Sequence, residues 1–284
     1  MPALRECAEQ AADRLRSELS EWADPRVMVQ FGAGFVPAGL LDREQGVLPL
    51  SALPGMPDAP SPAGHPLTLT LGTCVGDTQI LVAHGRRHLY EGHGVMPCIL
   101  PIAAAALAGV RTFILIGSTT GAVWDELHPG AWLILTDYVN RLGVSPLVGN
   151  LDLIDDPFLD MNETFSQEII SGLVNAAHEI GVTPRLGIYE ATMGPQGSTP
   201  AEVDAARQSD VAVLGTSLVL EAILARGMGC RVAALAVVSG EAAGHHAKPP
   251  TRASIGDANR FASPLIVDTL RILLRDHLSM IVGP

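Results

Sequence analysis

The chain predicts a single α/β domain, residues 1–284, with a mixed, largely parallel central β-sheet flanked by helices on both faces. Three observations predict it: short apolar runs closed by Gly, Ser or Thr, helix-period stretches between them, and no segment that reads as an interdomain linker. Strands that alternate with helices imply crossover connections, and crossovers cover a sheet on both sides.

Residues 3–22 carry Leu4, Ala8, Ala11, Leu15 and Leu19 at helical spacing with charges between them, so residues 1–24 read as an amphipathic helix packed on the domain rather than a signal peptide. Strands are expected at 27–31, 67–71, 79–84, 112–116, 132–135, 186–189, 211–214 and 232–238. Helical patterns fall at 95–108, 163–180, 200–207, 219–226 and 257–278. Pro and Gly crowd 53–65, a surface loop, and 240–250, a mobile one.

A net charge of −12 leaves no excess of Lys or Arg to displace counterions, which argues against a nucleic-acid partner. No apolar run approaches the ~20 residues of a membrane span, so a soluble, cytoplasmic protein without a membrane partner is expected. Cys7, Cys74, Cys98 and Cys230 are widely spaced in apolar settings and read as buried free thiols. His245-His246 has no Cys or carboxylate at ligand spacing, so no metal is expected.

Residues 85–92, Gly-Arg-Arg-His-Leu-Tyr-Glu-Gly, directly follow the run Ile80-Leu81-Val82-Ala83. Charged and hydrogen-bonding groups therefore gather beyond a strand's carboxyl end, where open α/β sheets bind ligands. Arg86 beside His88 suits a phosphate dianion, while a solvated surface turn is the competing reading. Three further turns favour the anion: Gly32-Ala33-Gly34 after 27–31, Gly117-Ser118-Thr119-Thr120-Gly121 after 113–116, and Gly215-Thr216-Ser217 after 211–214. Each offers main-chain N–H groups or hydroxyls with little Cβ interference.

With these blocks, and with Gly64-His65, Gly194-Pro195, Glu221 and Ala258-Asn259 in order, the chain resembles the trimeric purine nucleoside phosphorylase family, which includes the methylthioadenosine phosphorylases. The resemblance runs from about Val27 to about Leu278. It implies a nucleoside phosphorylase-like fold, a homotrimer, and a pentosyltransferase that splits an N-glycosidic bond. Inorganic phosphate would be the co-substrate, with no other cofactor, and the products a free base and a (deoxy)ribose 1-phosphate. Catalysis would rest on His88 and Arg86, with Glu91 orienting one of them. Phosphate would be held by Gly32, Ala33, His65, Arg86, His88, the main chain at Thr119, and Ser217. Ribose would meet Tyr90 and Thr216, and Thr120 and Gly121 would lie near the base. Arg260 falls where the resemblance puts a His near the sugar 5′ position, which implies a 5′-modified nucleoside unless the side chain faces solvent.

The chain departs from the family's pattern at both ends of that site. Ala33 replaces a hydroxyl donor to phosphate, a loss of about 1.5–3 kcal/mol that weakens binding without abolishing it. In Gly194-Pro195-Gln196-Gly197-Ser198-Thr199, Ser198 stands where the purine-gripping Glu is expected and Gly197 where an aromatic stacks on the base. Gly240 takes the place of the family's Asn or Asp. With those partners gone, the base is expected not to be a standard 6-oxopurine. Gln196 could read a pyrimidine dione edge or simply face solvent, and Glu190 is a second candidate. Phe158 is either an ordinary core or interface residue or the aromatic that completes a neighbouring subunit's base pocket. The alternatives are a uridine-type, possibly 5′-modified, nucleoside phosphorylase of a specialised biosynthetic pathway, and a catalytically silent nucleoside-binding homologue.

Overall fold

A computed structural model describes residues 3–61, 66–154, 156, 158–242 and 250–282. Helix α1 (Leu4–Glu18) is followed by β1 (Val27–Phe31), β2 (Arg43–Pro49), β3 (Thr68–Cys74), β4 (Thr78–His84) and α2 (Met96–Leu107). Then come β5 (Thr112–Ser118), β6 (Gly121–Ala122), β7 (Trp132–Asn140), α3 (Gln167–Glu179), β8 (Arg185–Ala191) and α4 (Pro200–Gln208). The remainder is β9 (Val211–Gly215), α5 (Val219–Gly227), β10 (Arg231–Val237), α6 (Arg252–Asp276) and α7 (Leu278–Val282).

All ten strands join one sheet in the order β2-β3-β4-β1-β5-β10-β7-β8-β9-β6. β4, β1, β5 and β10 run parallel to one another, whereas β2-β3, β3-β4, β10-β7 and β6-β9 are antiparallel, so the sheet is mixed. β1 is buried at every position because it sits between β4 and β5, which is why it reads as a continuous apolar run rather than an alternating one. α2 is buried along nearly its whole length between α1 and α5. The buried stripe Leu4, Cys7, Ala8, Ala11, Ala12 and Leu15 docks α1 onto it. The four cysteines are free and buried. Among the described residues no helix is long and apolar enough to cross a membrane.

Every strand and helix expected from the sequence has a counterpart. Two strands were not expected. β2 is a largely exposed edge strand, Arg-Glu-Gln-Gly-Val-Leu-Pro, whose charges suit an edge and mask the strand pattern. β6 has only two residues. The expected helix at 257–278 opens instead at Arg252, because Thr251 caps it: the Thr251 hydroxyl accepts the Ser254 N–H at 3.2 Å, and the Ser254 hydroxyl accepts the Thr251 N–H at 2.9 Å. That earlier start changes which arginine faces the site.

Candidate active site

Strand ends build the site. The Gly85 N–H extends the β1–β4 pairing by donating to the Phe31 carbonyl at 2.9 Å, and Gly85, at φ 101°, then turns the chain out of the sheet. Arg86 folds back across the strand ends, where its Nη2 donates to the carbonyls of Gln30 at 3.2 Å and Ile116 at 2.8 Å. Its Nη1 lies 3.4 Å from the Glu221 carboxylate in the first turn of α5, with both side chains at most 3% exposed. A buried cation held by two strands and one carboxylate is fixed in direction.

Arg87 points the other way. It donates to Glu91 Oε2 at 2.8 Å and to the carbonyls of Pro57, Ala59 and Pro60, which pins residues 57–60. Glu91 in turn accepts the His88 N–H at 2.9 Å and lies 3.4 Å from His88 Nδ1. Burial by itself would raise the Glu91 carboxyl, but hydrogen bonds from His88 and Arg87 outweigh it and hold the pKa at about 2. The His88 ring stacks on Tyr90, centroids 4.8 Å apart. Tyr90 is pushed up to about 12 by burial first, then by Glu91 and Cys98, against the opposing charge of Arg252, so its phenol stays a donor at neutral pH.

The other walls are equally constrained. Asn259 of α6 donates to the Ala33 carbonyl at 2.6 Å, and Gly34, at φ 75°, packs so closely on α6 that an added Cβ would meet Gly256 Cα at 3.1 Å. The fully buried Tyr189 hydroxyl accepts the Ser217 N–H at 3.2 Å. Leu218 follows at φ 71°, an unfavourable conformation for a branched residue that turns the chain from β9 into α5.

These segments enclose a cavity of about 540 Å³. Gly32, Ala33, Arg86, His88, Tyr90, Thr119, Thr120, Thr216 and Ser217, all expected at the site, line it together. Glu91 stands behind His88; it holds His88 and Arg87, whereas the carboxylate beside Arg86 is Glu221. His65 lies outside the described residues.

Several expectations need correction. The Thr119 N–H, expected to serve phosphate, is engaged by the Val237 carbonyl at 2.9 Å because the β5–β10 pairing runs one residue beyond Ser118. Gly121 is in β6, where an added Cβ would meet Ala242 Cα at 2.6 Å, and it does not line the cavity. Glu190 is buried but 3.3 Å from Arg141, and it too is absent from the lining. Gln196 is exposed and Ser198 half-buried, both beyond the cavity, which takes only Pro195 from that loop. Gly240 packs on Pro250 in a separate depression. Phe158 is 92% exposed, so it is not a core residue of this chain. Arg260 is exposed and paired with Asp257; the arginine that lines the cavity is Arg252, eight positions N-terminal in the same helix and not expected from the sequence. Its signal was Thr251, three residues before Ser254, a cap without the usual Glu or Gln. Glu221 and Tyr189 support the site from behind, which no local motif discloses.

The sequence profile of the Phosphorylase superfamily matches residues 40–275. The chain belongs to the phosphorylase superfamily. It is 32% identical over 251 residues to purine nucleoside phosphorylase 1 of Geobacillus stearothermophilus, covering 87% of this chain and 89% of that protein. To the purine nucleoside phosphorylase of Mycobacterium leprae it is 32% identical over 245 residues, covering 84% and 87%. In fold it is similar to Schistosoma mansoni purine nucleoside phosphorylase in complex with inosine, with a TM-score of 0.83, 21% identity and coverage of 95% and 96%. This phosphorylase superfamily member is thus an enzyme of the nucleoside phosphorylase family, whose chemistry is pentosyl transfer. The described lining of its cavity includes Arg86, His88 and Arg252 but no Asp or Glu, which makes the cavity receptive to anions within a chain of net charge −12.

Proposed function

We propose that this protein is a nucleoside phosphorylase that cleaves an N-glycosidic bond with inorganic phosphate, on a base other than a standard 6-oxopurine. One observation carries the reading: a single cavity unites an arginine-centred anion cradle with Tyr90, while its described lining, which includes Thr120, Pro195 and Thr216, presents no carboxylate or carboxamide to a base. Phosphate held by Arg86, His88, Ser217 and the 32–34 turn attacks C1′ of the sugar. The bonding pair of the C1′–N bond leaves with the base, and the sugar departs as its 1-phosphate. Arg86 cannot swing away, so the nucleophile is aligned before the bond breaks. No cofactor beyond phosphate enters this scheme.

Neutral hydroxyls on the base wall favour a uridine-type substrate as the second reading, since Thr120 and Thr216 can each donate and accept. The assay measures release of base from uridine, adenosine, inosine and guanosine with and without phosphate. Phosphate-saturable formation of a sugar 1-phosphate is expected, with inosine and guanosine the poorest substrates. Phosphate-independent hydrolysis, or binding with no turnover of any nucleoside, overturns the activity; a preference for inosine overturns the base assignment.

A homotrimer goes with this reading, and Phe158 at 92%, Val148 at 79% and Leu151 at 52% exposure are apolar side chains that a second copy of the chain would cover. Sedimentation gives the mass directly. Four reduced, buried cysteines fit a cytoplasmic location.

A further inference from the structure

We infer that Arg252 selects nucleosides bearing an anionic group on C5′, a carboxylate or a phosphate. The inference rests on the cavity's occupant being a nucleoside, as proposed above.

The other arginines of α6 are neutralised: Arg260 pairs with Asp257, Arg271 lies 2.8 Å from Asp42, and Arg275 lies 2.7 Å from Glu179. Arg252 differs from all three. Among the described residues it has no hydrogen bond and no ion pair, yet it lines the cavity and its charge acts on the Tyr90 phenol. It is also the first residue of α6, where the helix dipole disfavours a cation, and its nearest acid along the helix, Asp257, is held by Arg260. Arg252 is exposed, so its charge is available to a ligand that enters the cavity.

Sugar geometry supplies the occupant. In a β-nucleoside the base on C1′ and the substituent on C4′ project from the same face of the furanose, on opposite sides of the ring oxygen. With phosphate against Arg86 and the base against Thr120, Pro195 and Thr216, the 5′ substituent meets the remaining wall: Arg252, Ile255 and Gly256. A 5′-hydroxyl could be served by any neutral partner. An unneutralised guanidinium beside an aliphatic side chain, with no carboxylate among the described residues that line the cavity to repel an acid, discriminates in favour of a bidentate anion.

The test compares 5′-hydroxyl, 5′-carboxylate and 5′-phosphate forms of uridine and adenosine, for phosphorolysis and for binding by calorimetry. The wild-type protein should favour at least one acid over the matching alcohol by roughly tenfold or more in kcat/KM. That preference should collapse to near unity in Arg252→Met and survive in Arg260→Met; whichever acid is favoured identifies the source of the charge. A wild-type protein that prefers the alcohol, or an Arg252→Met variant that keeps the preference, overturns the inference. Should nothing be cleaved, an acid preference in binding that Arg252→Met abolishes upholds Arg252 while the phosphorylase reading falls. Equal binding of acid and alcohol removes the inference on its own.

Discussion

The two ends of the cavity are built to different standards. At the Arg86 end each group has a second partner holding it: Glu221 and two strand carbonyls for Arg86, Glu91 for His88, Tyr189 for Ser217, and Asn259 for the 32–34 turn. At the end where Pro195 enters, the loop carrying Gln196, Gly197 and Ser198 is mostly exposed, and an added Cβ on Gly197 would meet nothing within 4 Å. The lesson is that preorganisation was kept where charge must be placed accurately and released where a ligand surface could be exchanged.

The hardest way to break this contrast is Arg86→Met. It leaves Glu221 buried and uncompensated, which should cost about 3–5 kcal/mol in a urea titration and reduce phosphorolysis to background. The double variant Arg86→Met/Glu221→Leu should regain most of that stability without regaining activity; a single variant as stable as wild type would show that the pair fixes nothing. Next in size is the acid limb. Glu91 has a folded pKa of about 2 against an ordinary 4.5, so its stabilisation is complete above about 4.5 and is lost as pH falls from there toward 2. Glu91→Gln should therefore flatten the fall of Tm across that window, and an unchanged slope would count against the His88–Glu91–Arg87 lock. Tyr189→Phe leaves the half-buried Ser217 N–H without its acceptor, about 0.5–1.5 kcal/mol, and should raise KM for phosphate while leaving the nucleoside KM alone. The smallest effects belong to the other end: Gln196→Ala and Ser198→Ala should change stability by less than about 0.5 kcal/mol and kcat/KM by less than about twofold. A large loss from either would mean that the loop closes over the ligand.

Much of this architecture is legible in the residues alone. Apolar runs locate the buried strands because a sheet covered on both faces needs them, and the Arg86–His88–Tyr90 spacing discloses one wall of the cavity. Elements whose stability comes from outside themselves are not legible in this way. β2 is polar because it is an edge, so its pattern is that of a loop. α6 is extended by the side chain of Thr251, which brings Arg252 to the cavity, whereas Arg260, singled out by the resemblance, faces solvent. Likewise, the engagement of the Thr119 N–H by Val237 depends on how far two strands distant in sequence stay paired.

The acid-free lining described above also bears on kinetics. A molecule of net charge −12 repels a dianion at long range and attracts it only at the mouth of its cavity. Dissolved ions screen the distant repulsion over a Debye length of about 8 Å at physiological strength but hardly reach the contacts inside. Ligand capture should therefore quicken, not slow, as dilute buffer is brought toward cellular ionic strength.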